Sequence, residues 1–175
     1  SVTATFTANP VTLTVTKVPT TGGGTVTSSP AGINCGTDCT ETYNSGTSVT
    51  LTRSINENST FIGWSGGGCS GTASTCTVTM DAAKTVTATF GKELFVTKVP
   101  TTGGGTITSS PAGINCGTDC WESYTHDTSV TLTRATASGF SFAGWSGTGG
   151  CSGTASTCTV TMSAIRRVTA TFVRN

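Results

Sequence analysis

The sequence predicts an all-β protein of two similar modules in tandem, each with about six short strands and no substantial helix. Three observations support this prediction. Residues 13–90 and 94–172 are near-copies of each other. Apolar residues alternate with threonine along most of both copies, which is the period of a half-buried strand. No segment of helical length shows the spacing of apolar residues that an amphipathic helix requires.

The two copies align with a fixed offset over most of their length. Matching residues such as Cys35 and Cys116 are 81 positions apart. One additional residue near Thr148 raises the offset to 82, as between Phe90 and Phe172. A fixed period of this kind is typical of arrays of like modules. The duplication favours a function that depends on length, spacing or valency, and no enzymatic activity is expected.

The elements of the first module follow from this alternation and from the turn residues between the strands. Pro19 and the glycines after it end the first strand, and Pro30 ends the second. A turn at Asn44, Ser45 and Gly46 comes before the fourth strand. The predicted strands are LTVTKV (13–18), GTVTSS (24–29), residues 40–43, SVTLTR (48–53), FIGW (61–64), CTVTM (76–80) and TVTATF (85–90).

Composition and charge argue against several classes of partner. The 175 residues include nine Lys and Arg against eight Asp and Glu, and only 10% are charged. Nucleic-acid binding and binding to an anionic membrane surface both require a basic face, which this balance does not supply. No apolar run is long enough for a transmembrane helix, so we expect no membrane insertion. No residue pattern calls for a cofactor or a metal.

The repeat boundaries predict repeat module 1 over residues 8–90 and repeat module 2 over residues 95–175. Residues 91–94 form a short link between them. Because four residues are too few for a flexible tether, we expect the modules to stack end to end with restricted bending.

Residues 1–7, SVTATFT, match the segment that closes each module. Their apolar residues Val2, Ala4 and Phe6 share one strand face. We predict that this segment is the closing strand of a preceding repeat and that the chain is part of a longer array. An unpaired strand is also a template for pairing, so neighbouring repeats or identical subunits are the expected partners, including by strand addition.

The cysteines occur four to a module at matching positions, which predicts a disulfide framework in an oxidising compartment. A four-cysteine zinc site in each module is the alternative, but the spacings differ from the usual C-x2-C pairs of zinc ribbons. We favour local pairing within each module, which encloses short glycine-containing loops and stabilises by roughly 2–2.5 kcal/mol per ring. The eight residues are Cys35, Cys39, Cys69, Cys76, Cys116, Cys120, Cys151 and Cys158.

The order of these motifs is similar to that of a known bacterial repeat family. GGGTVTSSPAGINC, GTSVTLTR, F-x-GW-S, CTVTM and KTVTATF occur in the first module and recur with few changes in the second. This combination resembles the divergent internalin-type B-repeat of bacterial secreted and surface proteins. The resemblance implies a small β-grasp-like or β-sandwich-like module, found in tandem in large extracellular proteins. It implies neither an enzymatic activity nor a particular ligand.

The tryptophan of the F-x-GW motif has two interpretations. Phe61 and Trp64 are three positions apart, so a regular strand would place them on opposite faces. A bulge at Gly63 turns the indole inward and makes it part of the core, whereas an outward indole would be a platform for stacking a sugar. We favour the core for this residue and its repeat. The predicted core anchors are Trp64, Trp145, Phe90 and Phe172.

Trp121 has no aromatic counterpart in the first module, where the matching residue is Thr40. It is out of phase with Tyr124, which lies on the expected core face, so its indole should point away from the core. We therefore predict a contact site at Trp121 for a neighbouring repeat, another chain or a glycan.

These observations lead to a functional hypothesis. We expect a secreted, non-enzymatic structural repeat that forms a stiff stalk or fibre segment of a bacterial surface protein, adhesin or filament. The alternatives are a glycan- or receptor-binding module and an accessory repeat of a secreted hydrolase.

Overall fold

A computed structural model describes residues 9–175 of the chain. These residues form sixteen β-strands and no helix, and they divide into two compact units between Phe90 and Gly91, with Asn58–Thr60 grouped with the second unit. The predicted all-β fold with two tandem modules is therefore confirmed.

The first unit contains every strand that the alternation predicts, together with two very short strands, β3 and β7. These two lie in the cysteine-containing loops, where glycine and polar residues replace the period-2 pattern. The strands are β1 (Pro10–Val18), β2 (Gly24–Ser29), β3 (Asn34–Cys35), β4 (Thr40–Asn44), β5 (Ser48–Ile55), β6 (Thr60–Gly66), β7 (Cys69–Gly71), β8 (Thr75–Thr79) and β9 (Lys84–Val99).

Two sheets face each other in this unit. One is antiparallel with the order β3-β2-β5-β8. In the other, β1 pairs antiparallel with β4 and parallel with β9, while β9 also pairs with β6. Leu13 of β1, Val86 of β9 and Leu51 of β5 are all fully buried in a single core. The module is therefore a sandwich, and within residues 9–175 there is no helix to cover a sheet as in a β-grasp fold.

The second unit repeats this arrangement. Its antiparallel sheet has the order β11-β10-β13-β15, and β9 pairs with β12 and β16, while β14 pairs with β16. Where the first unit has β7, this unit has a single bridge between Trp145 and Gly153. The remaining strands are β10 (Gly105–Ser110), β11 (Asn115–Cys116), β12 (Trp121–Thr125), β13 (Ser129–Thr136), β14 (Phe140–Gly147), β15 (Thr157–Thr161) and β16 (Arg166–Arg174).

β9 contributes to both modules. Its first part closes the first module, with Val86 opposite Val15 of β1. Its last part opens the second module, with Val96 opposite Val168 of β16. Residues 91–94, expected to form a link, lie within this strand.

The N-terminal segment that was predicted to close a preceding repeat lies outside the described residues. This applies to residues 1–7 and to the three apolar side chains of that strand, Val2, Ala4 and Phe6.

Candidate interaction site

The tryptophans of the F-x-GW motif lie in the two cores. Trp64 and Trp145 are each only 4% exposed. The Trp64 indole N–H donates to the Ala73 carbonyl at 2.9 Å, and that of Trp145 donates to the Ala155 carbonyl at 2.9 Å. Because both rings are buried, neither has a free face on which a sugar could stack.

A glycine places both aromatic residues of this motif on the core side. Phe61 is 8% exposed and packs edge-to-face on Trp64 with ring centroids 5.1 Å apart, although the two are three positions apart. Gly63 has φ +155°, and in the second module the register of β14 on β16 shifts between Phe142 and Gly144. This irregularity is a β-bulge, which changes the side-chain phase of a strand by one residue.

The structure pairs all eight cysteines locally, within each module. The bonds are Cys35–Cys39, Cys69–Cys76, Cys116–Cys120 and Cys151–Cys158. No sulfur is therefore left to bind zinc, and no cluster of metal-ligating side chains occurs anywhere in residues 9–175.

Two buried lysines were not expected from the sequence. Lys17 is 7% exposed and its ammonium donates to the Gly24 carbonyl at 2.9 Å. Lys98, its repeat, donates to the Gly103 and Gly105 carbonyls at 2.9 and 3.0 Å. Each lysine thus satisfies backbone oxygens around a glycine-rich turn, which is a structural role.

Two shifted pKa values also have structural causes. Burial raises the pKa of the Tyr124 phenol, whose oxygen lies 2.7 Å from the Ser109 hydroxyl oxygen. The Lys84 ammonium lies 2.8 Å from the Asp81 carboxylate and lowers the pKa of that group.

Among the aromatic side chains of residues 9–175, the exposed one is Trp121, at 53%. Its indole stacks on the Phe95 ring, with centroids 6.4 Å apart and an angle of 24° between the planes. The Arg167 guanidinium carbon lies 4.4 Å from the centroid of the Phe95 ring. We call these three residues the Trp121 row.

Strand register produces the Trp121 row. Trp121 of β12 is opposite Phe95 of β9, and Arg167 of β16 is opposite the same Phe95. Facing side chains on adjacent strands are close enough to interact directly. The Asp119 carboxylate also accepts a hydrogen bond from the Trp121 backbone N–H at 3.4 Å, which helps to fix the start of β12.

The first module has three threonines in this row. Thr14 of β1 is opposite Thr40 of β4 and opposite Thr85 of β9. These are the counterparts of Phe95, Trp121 and Arg167 in the repeat alignment. One backbone arrangement therefore carries a polar row in one module and an aromatic and cationic row in the other.

A shallow depression of about 210 Å³ adjoins the Trp121 row. Thr97 and Cys120 line it. Thr97 lies on β9 with Phe95, and Cys120 directly precedes Trp121 at the start of β12. Val96, Lys98, Thr101 and Gly117 complete its lining.

Sequence reasoning identified Trp121 but missed its two neighbours. The sequence does contain a signal for this row, because three threonines of the first module are replaced in the second. Thr14, Thr40 and Thr85 correspond to Phe95, Trp121 and Arg167. These residues are far apart in the chain, and only the strand pairing shows that they form one row.

The comparisons with known proteins agree with the repeat pattern. The family model described as "Divergent InlB B-repeat domain" matches residues 13–93 and again residues 95–175. A search of curated proteins found no significant match. Within residues 9–175 the structure contains no helix of the length and apolar character that a membrane span requires.

Two solved structures of pilins from Streptococcus pyogenes cover most of the chain. One major pilin is 9% identical, with 97% of this chain and 98% of the pilin covered and a TM-score of 0.33. A mutant of a major pilin is 8% identical, with 93% and 96% covered and a TM-score of 0.27.

Proposed function

Because the chain belongs to the divergent InlB B-repeat family, we propose that it is a non-enzymatic, extracellular structural repeat. It forms a stalk or fibre segment of a bacterial surface protein, adhesin or filament. In this role the modules extend the polypeptide and hold other parts of the protein at a distance from the cell.

The observation that carries this proposal is the way in which one module leads into the next. β9 closes the first sandwich through its pairing with β1 and opens the second through its pairing with β16. Each module has its own core and its own two disulfides. Further copies can be added by the same strand continuity, as expected of an array whose units contact mainly their neighbours.

The redox state of the cysteines tests the extracellular location. We expect the protein isolated from the surface fraction of its source cells to gain no mass on alkylation without reductant. After reduction it should gain eight alkyl groups, one for each cysteine. Local disulfides persist in an oxidising compartment and are rare in the cytosol. Intact-mass spectrometry measures both values, and eight groups added without reductant would exclude the extracellular assignment.

We further propose that residues 1–7 close a preceding repeat, in the same polypeptide or in a neighbouring subunit. Both described modules already have a closing strand, in β9 and in β16. Deleting residues 1–7 should therefore leave the unfolding transitions of both modules unchanged and weaken end-to-end assembly. Chemical denaturation and analytical ultracentrifugation measure the two effects.

A milder variant separates the contribution of the apolar residues in the segment 1–7 from that of its length. Phe6→Ser keeps seven residues in place but removes the residue that matches Phe90 and Phe172. It should weaken assembly as the deletion does. Unfolding of the first module in either variant would mean that the segment belongs to that module's own sheet.

A further inference from the structure

We propose that the Trp121 row of the second module binds a neutral glycan, with one sugar ring stacked on the open face of the Trp121 indole. This activity goes beyond the structural role and does not depend on it. The first module has the same backbone row but presents threonines, so it lacks the site.

The indole is both open and held in place. Phe95 lies between Trp121 and Arg167. Its ring stacks on the indole and so supports one side of it. Among the described strands β12 pairs only with β9, so the other side of the indole is directed to a free sheet edge. Because the ring is already ordered by its neighbours, a ligand that stacks on it pays little additional conformational entropy.

The size of the apolar surface favours a sugar over a protein. Stable protein interfaces bury about 1,200–2,000 Å² around an apolar centre. Here one exposed indole is surrounded on the same face by Ser123, Thr97 and Thr169, which alternate with the buried residues of their strands. A sugar ring has one apolar C–H face and a border of hydroxyl groups. It therefore matches a single aromatic ring bordered by hydroxyl side chains. The aromatic ring contacts the C–H face, and the side chains hydrogen-bond to the sugar hydroxyls.

The charges around the row favour a neutral glycan. Glu93 is two positions before Phe95 on β9 and so lies on the same outward face as Arg167. The two charges offset each other across the row. Since the guanidinium also lies over the Phe95 ring, an anionic polysaccharide or a nucleic acid would find no excess of positive charge at this site.

The adjoining depression provides space for a second ring of the same chain. Its volume of about 210 Å³ is below the 300–1,000 Å³ that is usual for a drug-sized ligand. Thr97 and Thr101 in its lining supply hydroxyl groups beside the Trp121 row. The site thus suits a linear oligosaccharide that lies across the sheet edge.

Trp121→Thr is the direct test because it installs the residue that the first module has at this position. The probes are neutral polysaccharides, namely cellulose, chitin, mannan and galactan, used in pull-down and affinity electrophoresis with the full chain. We expect at least one probe to retain the wild-type chain and Trp121→Thr to weaken that retention roughly tenfold, the effect of one lost stacking contact. Phe95→Thr should weaken it similarly by removing the support of the indole.

Val173→Thr is the matched control. Val173 is 46% exposed and lies on the outward face of β16, as Arg167 does, but outside the row. Its replacement should leave retention unchanged. Trp121 also provides a spectroscopic signal, because Trp64 and Trp145 are buried and a bound sugar should shift the emission of Trp121 alone.

Transfer of the row to the first module tests the same inference by gain of function. The triple variant Thr14→Phe, Thr40→Trp, Thr85→Arg should raise the number of sugar sites from one per chain to about two, and bivalent attachment should slow release from the polymer. Isothermal titration with the oligosaccharide of the retained polymer gives the stoichiometry.

Several results would overturn the proposal. These are a wild-type chain that no neutral polysaccharide retains, equal retention of wild type and Trp121→Thr, and retention only on sulfated polymers that salt abolishes. A self-association that Trp121→Thr removes, without any effect on polysaccharides, would assign the row to a protein contact instead. None of these results bears on the disulfide and assembly tests of the structural role.

Discussion

Replacing Phe90 by alanine should destabilise the first module by about 3–5 kcal/mol, the usual cost of removing a buried phenylalanine ring. Phe90 is fully buried, and its ring lies edge-to-face on Phe61 with centroids 5.1 Å apart. A Cβ atom added to Gly24 would collide with the Phe90 ring and with the Ser54 carbonyl, so the glycine backbone packs directly against this side chain. Alanine would leave a cavity that neither β2 nor β5 is free to fill.

Denaturant unfolding gives the free energy, and hydrogen exchange locates the effect. Exchange should accelerate most in β2, β5 and β8, which form the sheet opposite Phe90. Ile55→Ala is the control in the same module, because Ile55 is 39% exposed and its truncation should change stability by less than about 0.5 kcal/mol. A loss below about 1 kcal/mol for Phe90→Ala would contradict its role as a core anchor.

Trp64→Ala should have an effect of similar size, about 3–5 kcal/mol. The substitution removes a ring that is 4% exposed and leaves the Ala73 carbonyl without its indole donor. Trp64→Phe separates these two contributions, since it keeps an aromatic ring but loses the hydrogen bond, worth about 1 kcal/mol. Thermal and denaturant unfolding of the three proteins give the comparison.

The same variants distinguish the two interpretations of this tryptophan. A core residue affects stability and leaves retention on neutral polysaccharides unchanged, because the Trp121 row lies in the other module. If Trp64→Ala left the stability intact and removed polysaccharide binding, the F-x-GW motif would be a sugar platform and its burial in the core would have no energetic role.

Much of the fold was predictable because it depends on local pattern. Alternation of threonine with apolar residues identifies a strand and its buried face within a few residues, as for Val49 and Leu51 of β5. Both disulfides of each module also enclose short segments, so the paired cysteines are near in sequence. The short strands β3 and β7 were missed because their two or three residues are too few to show a period.

The pairing of distant segments was decided only in the tertiary structure. The parallel pairing of β1 with β9 joins segments that are separated by almost a whole module, and no local signal predicts it.

The candidate site likewise has a part that the sequence predicts and a part that only the tertiary structure shows. The sequence by itself determined that the chain is a tandem array of B-repeat modules and that Trp121 faces outward, because the repeat period and the side-chain phase are properties of neighbouring residues. Only the tertiary structure placed Phe95 beside Trp121 and Arg167 beside Phe95. Register across three strands results from pairing between distant segments, and a shift of one residue would have moved these side chains to the opposite face.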